Sequence, residues 1–374
     1  RRYDVLYDDR VLVSRSSTNY VETGENYLDY MWNYSPSTLK GTSFSVSGTQ
    51  YGARIVASEG IVGLSGRQNS GRAGVYDLDG TARYSKTGTG DQFGYSCAAG
   101  DGKFIVSDFL QKLVYVYNLY TGNLEVTISQ PSINNFGVWV AVGDGIIAII
   151  EDGSTGTGAG GVANGSCYVY DLSGNFITRI FCPEPYEFSR VFVSYIGGGK
   201  LILGVSSGGG SSNLNGMLNI YNSSTRAFET TITGVDGDRL AYVSSSLVSQ
   251  YSVTSGLLVT GTWNEVVRVY NLSGTLLFSI PKPAAADSFG WGKHVVAGAG
   301  RIFVLDPRNG NFGATKVVYI YDLSGNLINS VTFTANGSTS AALAMDTGLG
   351  CCVFSELPLQ SVPGGFFSIG NTQK

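Results

Sequence analysis

Charge is what this chain has least of for its size. Only 14% of its 374 residues are Asp, Glu, Lys or Arg, and the formal net charge is −4. Duplex nucleic acid is bound by positive surfaces, so an acidic balance with no Lys/Arg run argues against that partner. Cysteine is also scarce, with five residues: Cys97, Cys167, Cys182, Cys351 and Cys352. No Cys-x-x-Cys pair occurs, which excludes the usual zinc spacings. Cys97 and Cys167 lie in apolar runs, where a thiol behaves as a small hydrophobe, so no structural disulfide is expected. The single histidine, His294, rules out a His-rich metal cluster. It falls on a strand pattern near the expected axis and reads as a packed or channel-lining residue. No apolar run approaches the roughly 18–20 residues of a membrane helix, and no amphipathic helix of useful length is visible. Membrane insertion is not expected.

What is abundant points to strands. The chain has 52 Gly, 23 Tyr and 18 Phe. Gly-rich turns joining aromatic and β-branched runs are an all-β composition. A short phrase recurs six times: Val75-Tyr76-Asp77-Leu78, Val116-Tyr117-Asn118-Leu119, Val169-Tyr170-Asp171-Leu172, Ile220-Tyr221-Asn222-Ser223, Val269-Tyr270-Asn271-Leu272 and Ile320-Tyr321-Asp322-Leu323. Its tyrosines are 41, 53, 51, 49 and 51 residues apart. A strand-rich period of about 40–50 residues indicates a propeller or a solenoid of sheets.

One repeat, residues 93–128, resolves into four short strands. Gly100-Asp101-Gly102 separates the first from the second, and Tyr120-Thr121-Gly122-Asn123 separates the third from the fourth. Four antiparallel strands joined in order by turns make a propeller blade. First-turn signals recur at Ser58-Glu59-Gly60, Gly143-Asp144-Gly145, Gly197-Gly198-Gly199, Gly298-Ala299-Gly300 and Gly348-Leu349-Gly350, and in weaker form at Thr254-Ser255-Gly256. Seven first turns against six third strands leave a last repeat without its fourth strand. Residues 42–47 (Thr-Ser-Phe-Ser-Val-Ser) can supply it. The expectation is an all-β, seven-bladed propeller over residues 41–374, its last blade closed by an N-terminal strand, with six blades as the alternative. Sharing one sheet between distant segments removes two open edges. Residues 1–40, rich in Tyr and acids, read as an arm that either packs on the ring or docks a neighbouring subunit or an upstream domain.

The phrases Phe93-Gly94-Tyr95-Ser96-Cys97-Ala98-Ala99-Gly100-Asp101 and Phe136-Gly137-Val138-Trp139-Val140-Ala141-Val142-Gly143-Asp144 resemble the FG-GAP repeat. Trp291-Gly292 takes the Phe-Gly place in the sixth repeat. That family forms seven-bladed propellers such as integrin α-chain heads. The phrase Asp322-Leu323-Ser324-Gly325-Asn326-Leu327-Ile328 is similar to repeat-containing virion structural proteins of marine phages. Many FG-GAP repeats carry a calcium loop. Here the corresponding loops hold only two or three residues, too few for the six to eight oxygens calcium takes, so no metal and no cofactor is expected.

Strand order puts the turns after the first and third strands on one face, and these are short. The loops after the second and fourth strands are long and emerge on the other face, where variable, functional contacts concentrate. Candidate ligand contacts there are Arg67, Gln68 and Asn69; Glu151 and Asp152; Trp263 and Asn264; and Asp306, Arg308 and Asn309. A Trp beside Asn and Asp suits a sugar ring, which is held by stacking and hydrogen bonds. Glu151, Asp152 and Asp306 could support glycoside hydrolysis, but nothing marks two of them as partners, and no catalytic residue is assigned. The expected function is a non-enzymatic structural and interaction module. The resemblance implies a phage virion protein of the tail or capsid, assembled in the host cytoplasm. It would contact other virion or surface proteins through residues 1–40 and a host glycan through the loop face, with a homo-oligomer as a further expectation. The alternative is a secreted or cell-surface adhesin or lectin for polysaccharide; a polysaccharide-cleaving enzyme ranks below both.

Overall fold

The computed structural model describes residues 11–12, 43–45, 54–66, 71–77, 81–88, 92–130, 136–151, 165–181, 190–206, 215–235, 237–238, 240, 251–286, 291–292, 294–298, 300–306, 315–334, 340–346, 351–357 and 365–370. Every regular element among them is a β-strand. Six blades follow one another, each a four-stranded antiparallel sheet in chain order. Blade 1 comprises Arg54–Ser58, Ile61–Gly66, Arg72–Asp77 and Ala82–Thr87. Blade 2 comprises Phe93–Gly100, Lys103–Asp108, Leu113–Asn118 and Leu124–Ser129. Blade 3 comprises Phe136–Gly143, Ile146–Glu151, Ser166–Asp171 and Phe176–Phe181. Blade 4 comprises Arg190–Gly197, Lys200–Ser206, Met217–Asn222 and Phe228–Thr233. Blade 5 comprises Tyr251–Thr254, Leu257–Gly261, Val266–Asn271 and Leu276–Pro281. Blade 6 comprises His294–Gly298, Arg301–Asp306, Thr315–Asp322 and Leu327–Thr334.

The remaining sheet is built from both ends of the chain. Ser340–Asp346, Cys351–Leu357 and Gly365–Gly370 pair in order, and the free edge of the last takes Ser43–Ser45, with Phe44 opposite Phe366. This is the strand that residues 42–47 were expected to supply. Val11–Leu12 lies within the segment read as an arm, and it extends the same edge, pairing with Ile369 and Ser368. The ring therefore holds six blades of consecutive strands and one closing sheet of mixed origin. Its first strands face the axis. Each lies beside the first strand of the blade on either side, and Ser340–Asp346 lies beside both His294–Gly298 and Arg54–Ser58.

The core lies between blades rather than inside any one of them. Ala98, Ile105 and Val114 of blade 2 pack with Val140, Ile147 and Tyr168 of blade 3. Ile202 and Leu218 of blade 4 pack with Tyr251 and Leu258 of blade 5. Middle strands are apolar on both sides because each face meets a neighbouring blade, and Ile61–Gly66 is buried along its whole length. Outer strands show the exposed-and-buried alternation of an edge.

The recurrent phrases have distinct structural roles. In the Phe-Gly pairs the aromatic is buried in the seam with the preceding blade (Phe93, Phe136 and Trp291). The glycine that follows holds a left-handed φ of 79° at Gly94, 87° at Gly137 and 79° at Gly292, which a Cβ would strain. Pairing slips by a bulge at Phe93 and Phe136, which turns the aromatic into the seam. The tyrosines of the six-fold phrase are all buried. They belong to inter-blade packing, as expected. Burial raises the phenol pKa to about 12 at Tyr117 and raises it at Tyr170.

Candidate interaction face

The two faces of the ring differ in how their polar groups are engaged. On the face of short turns, the Asp or Asn of the recurrent phrase caps the turn that follows it. Asp171 Oδ1 accepts the amides of Ser173 and Asn175, both at 2.9 Å, and its Oδ2 accepts Asn175 Nδ2 at 2.8 Å. Asp322 repeats this with Ser324 and Asn326, and Asn271 with Ser273 and Thr275. These bonds, foremost the one from the Asn side chain, hold the Asp171 and Asp322 carboxyls below the usual carboxylate range.

A second set of carboxylates joins blade to blade. Glu59 Oε1 accepts the Gly102 amide at 2.9 Å, and another of its oxygens takes the Tyr120 hydroxyl. Asp101 Oδ2 accepts the Gly145 amide at 2.7 Å. Asp144 Oδ2 accepts the Gly199 amide at 2.9 Å and the Ser223 hydroxyl at 2.8 Å. Each acid sits in the first turn of one blade and reaches the first turn of the next. To do so, Glu59, Asp101 and Asp144 adopt left-handed φ values of 53°, 50° and 49°. The series stops at the fourth blade, where Gly198 occupies the acid's place with φ 63°.

The face of long loops begins at the ends of the second strands. Glu151 closes Ile146–Glu151, where its Oε2 accepts Ser166 Oγ at 2.7 Å and Arg179 Nη2 at 2.6 Å. Arg179 lies between two rings, 4.8 Å from the centre of Tyr168 and 4.5 Å from that of Phe181. Phe181 is 60% exposed. The Tyr168 phenol is pushed up to about 12, mainly by burial and then by the nearby Glu151 charge.

Trp263 and Asn264 stand on the connection between the second and third strands of blade 5, Trp263 half-buried and Asn264 exposed. They adjoin a linker running from blade 4 to blade 5. Leu240 N and Gly237 N donate to the backbone and side-chain oxygens of Asn215 at 2.7 and 2.8 Å, which ties the linker to blade 4. Asp238, with no exposed surface, receives Arg268 from the third strand of blade 5, Nε to Oδ2 at 2.5 Å and Nη2 to Oδ1 at 2.9 Å. Its backbone carbonyl accepts the Trp263 amide at 2.7 Å. This bracket fixes the foot of Trp263.

Asp306 ends its strand fully buried, so it belongs to the wall of blade 6 rather than to the surface. Asp108 occupies the same place in blade 2; burial raises its pKa, opposed by the Gln111 amide. Arg67, Gln68, Asn69, Asp152, Arg308 and Asn309 lie outside the described residues. The structure thus brings together Trp263 and Asn264, and places Glu151 on another blade. Arg179, Asp238 and Arg268 were not singled out from sequence. Arg268 carried a signal nonetheless: its place in the third strand is held by Tyr115, Tyr168 and Tyr319 in blades 2, 3 and 6. Cys97 and Cys167 are buried free thiols, and burial raises the Cys167 pKa to about 12, so it is an inert thiol rather than a reactive one. Among the described residues no three His, Cys, Asp or Glu side chains are grouped as a metal site would need.

No protein-family profile matches this chain, and no curated protein matches it in sequence. Solved structures do. The β-propeller domain of Cps50 (Swd1) from Myceliophteria thermophila aligns with a TM-score of 0.59 at 11% identity, over 88% of this chain and 98% of that one. The WD40 β-propeller domain of Doa1 aligns with 0.55 at 12% identity, over 88% and 96%. The computationally designed Ika8 protein aligns with 0.54 at 13% identity, over 86% and 98%. At this identity the likeness establishes the fold: a WD40-like β-propeller.

Proposed function

We propose that this chain is a non-enzymatic interaction propeller that offers its loop face to a partner, and that it serves as a structural protein of a phage virion. One contrast carries the interaction reading. The turn face engages its acids in capping and inter-blade bonds, whereas the loop face carries exposed Phe181 and exposed Asn264 beside half-buried Trp263, whose backbone amide is held by the Asp238 carbonyl. Braced aromatics beside an amide and an arginine are the composition of protein and glycan contacts, because they give contact area at low entropic cost. The virion assignment rests on the resemblance of Asp322–Ile328 to phage repeat proteins, with residues 1–40 as the arm toward other virion components. Mass spectrometry of purified particles from the producing culture tests it. The chain is expected in stoichiometric amount, and its absence from particles overturns the assignment.

The second reading, a secreted or surface lectin, is favoured by Trp263 beside exposed Asn264. A glycan array with the folded chain is expected to give a signal that Trp263→Ala abolishes if this reading holds; silence on every glycan counts against it. Hydrolysis is the weakest reading, since Glu151 is bound to Arg179 and Ser166 and Asp306 is buried. Turnover of any polysaccharide that is lost in Glu151→Gln would reverse that ranking.

A further inference from the structure

The third strand of a blade offers its outer edge at fixed positions. In blades 1 to 5 the fourth strand pairs with five residues of the third, all but its last: 72–76, 113–117, 166–170, 217–221 and 266–270. In the closing sheet the corresponding strand is Gly365–Gly370, so the matching positions are 365–369. All five are filled, but by two pieces of chain. Ser43–Ser45 pairs with 367, 366 and 365, and Val11–Leu12 with 369 and 368.

The two pieces neither overlap nor leave a position open between them. Leu12 lies opposite Ser368 and Ser43 opposite Phe367, and both pieces run antiparallel to the strand they cover. Their ends adjoin. Leu12 and Ser43 therefore hold consecutive places on one line, about 3.4 Å apart along it. Two strands competing for one edge would overlap in register, whereas two halves of one strand would not. The place of the break fits as well. In blades 1 to 5 the fourth strand carries one extra residue after its first pair, as between Leu124 and Val126 or between Phe176 and Thr178. The fourth strand thus departs from strict pairing near its start in every one of them. In the closing sheet the extra residues are 13–42, thirty of them, and they follow the second pair. These thirty lie outside the described residues.

We infer that Val11–Leu12 and Ser43–Ser45 are the two halves of a single fourth strand that straps the ring shut, and that residues 13–42 are an insertion into it on which closure does not depend. Neither half suffices by itself. Without Val11–Leu12 the backbone at 368–369 has no partner on its outer side, and an open edge is a template for another chain. Together the halves cover the same five positions as an uninterrupted fourth strand. The entropy lost in bringing Leu12 to Ser43 grows only slowly with the length between them, so an insertion of this size is tolerated, and its removal relieves that cost. The segment read from sequence as an arm is then held to the ring at both Leu12 and Ser43, and the ring begins at Val11 rather than at residue 41.

Two deletions and amide hydrogen exchange test this. A chain lacking 13–42, with Leu12 joined directly to Ser43, is expected to fold, to melt at or above the temperature of the parent, and to exchange its 368–369 amides at the parent's rate. A chain lacking 1–42 keeps Ser43–Ser45. Its 368–369 stretch is expected to exchange at least ~10-fold faster than the parent's, with 365–367 unchanged. Equal exchange at 368–369 in the two deletions overturns the inference, because the halves then do not make one strand. So does parental protection of 368–369 in the chain lacking 1–42, since Val11–Leu12 then covers nothing. Failure of the chain lacking 13–42 to fold makes the insertion part of the closure and overturns it too. The unaltered chain gives the measurement that needs no variant: 368–369 are expected to be as protected as 365–367, and their rapid exchange would overturn the inference by itself.

Discussion

The seam between blades 3 and 4 and the seam between blades 4 and 5 solve one problem on opposite faces. At the first, Asp144 reaches across on the turn side to the Gly199 amide and the Ser223 hydroxyl. At the second, Gly198 stands where the acid would be; the Tyr195 hydroxyl donates to the Val253 carbonyl at 3.2 Å on the turn side, and the stronger tie lies on the loop side as the linker carrying Asp238, with Arg268 closed on it. The difference lies in burial. Turn-side acids are exposed, and each contributes about what a solvent-facing hydrogen bond does. The Asp238 carboxylate has no exposed surface, so its pairing is obligatory: a buried charge without a partner costs several kcal/mol. A ring can be joined by many weak contacts or by one it cannot lose, and this ring does both.

The sharpest way to break the comparison is Arg268→Ala. Asp238 would be left charged and buried, and a loss of about 3–5 kcal/mol is expected in urea unfolding, with aggregation as the visible outcome if the margin is smaller. Gly216→Ala attacks the same seam through the backbone. Its Cβ would lie 1.9 Å from the Leu240 carbonyl at a φ of +65°, so about 2–3 kcal/mol should be lost through strain and displacement of the linker. On the turn side the effects are smaller. Asp144→Gly keeps the left-handed turn but removes both bonds, for about 1 kcal/mol in the same measurement.

Gly198→Asp runs the other way and would extend the series to the fourth seam. The added Cβ meets only Val253 at 3.8 Å, and Ser255-Gly256 hold the same left-handed pair, at 47° and 78°, as Asp144-Gly145 at 49° and 78°. The new bond to the next turn would be worth about 0.5–1 kcal/mol, set against a similar cost for a side chain at the left-handed φ of 63°, so stability close to that of the parent chain is expected, and a loss above about 2 kcal/mol would refute the equivalence of the seams. The smallest effect is on pH. Asp171 and Asp322 titrate below their ordinary range in the fold, so their contribution is complete above about pH 4. It is lost as the pH falls through their lowered values. Asp171→Asn/Asp322→Asn should flatten that acid limb of the stability profile while leaving neutral-pH stability nearly unchanged, because Asn271 already caps its turn with the neutral side chain.

The fold was legible because its rules are local. A Tyr-Asp-Leu phrase ends a buried third strand, an Asx-capped turn follows, and the period does the rest; even the shared sheet was visible in residues 42–47. The ties between blades were not. Gly100-Asp101-Gly102 reads as an ordinary hairpin turn, and nothing nearby in sequence says that Asp101 binds an amide 44 residues away. Thr254-Ser255-Gly256 reads as a degraded turn, yet its backbone repeats the others because Ser accepts the left-handed region at modest cost. The candidate site was half legible. Trp263 and Asn264 stood out as chemistry on a loop, but what braces them, Asp238 with Arg268, joins a linker to a strand 30 residues on. Asp306 looked like a rim acid because a strand end and a loop start are indistinguishable in sequence, and burial decides between them.

The closing sheet sets a timetable for synthesis. Ser43 pairs with Phe367 and Val11 with Ile369, so these early segments leave the ribosome long before the strand they complete exists. At about 5–20 residues per second that interval lasts on the order of tens of seconds. For all of it the first blade lacks the neighbour that covers its axial strand. A nascent ring is thus an open arc with one sticky end.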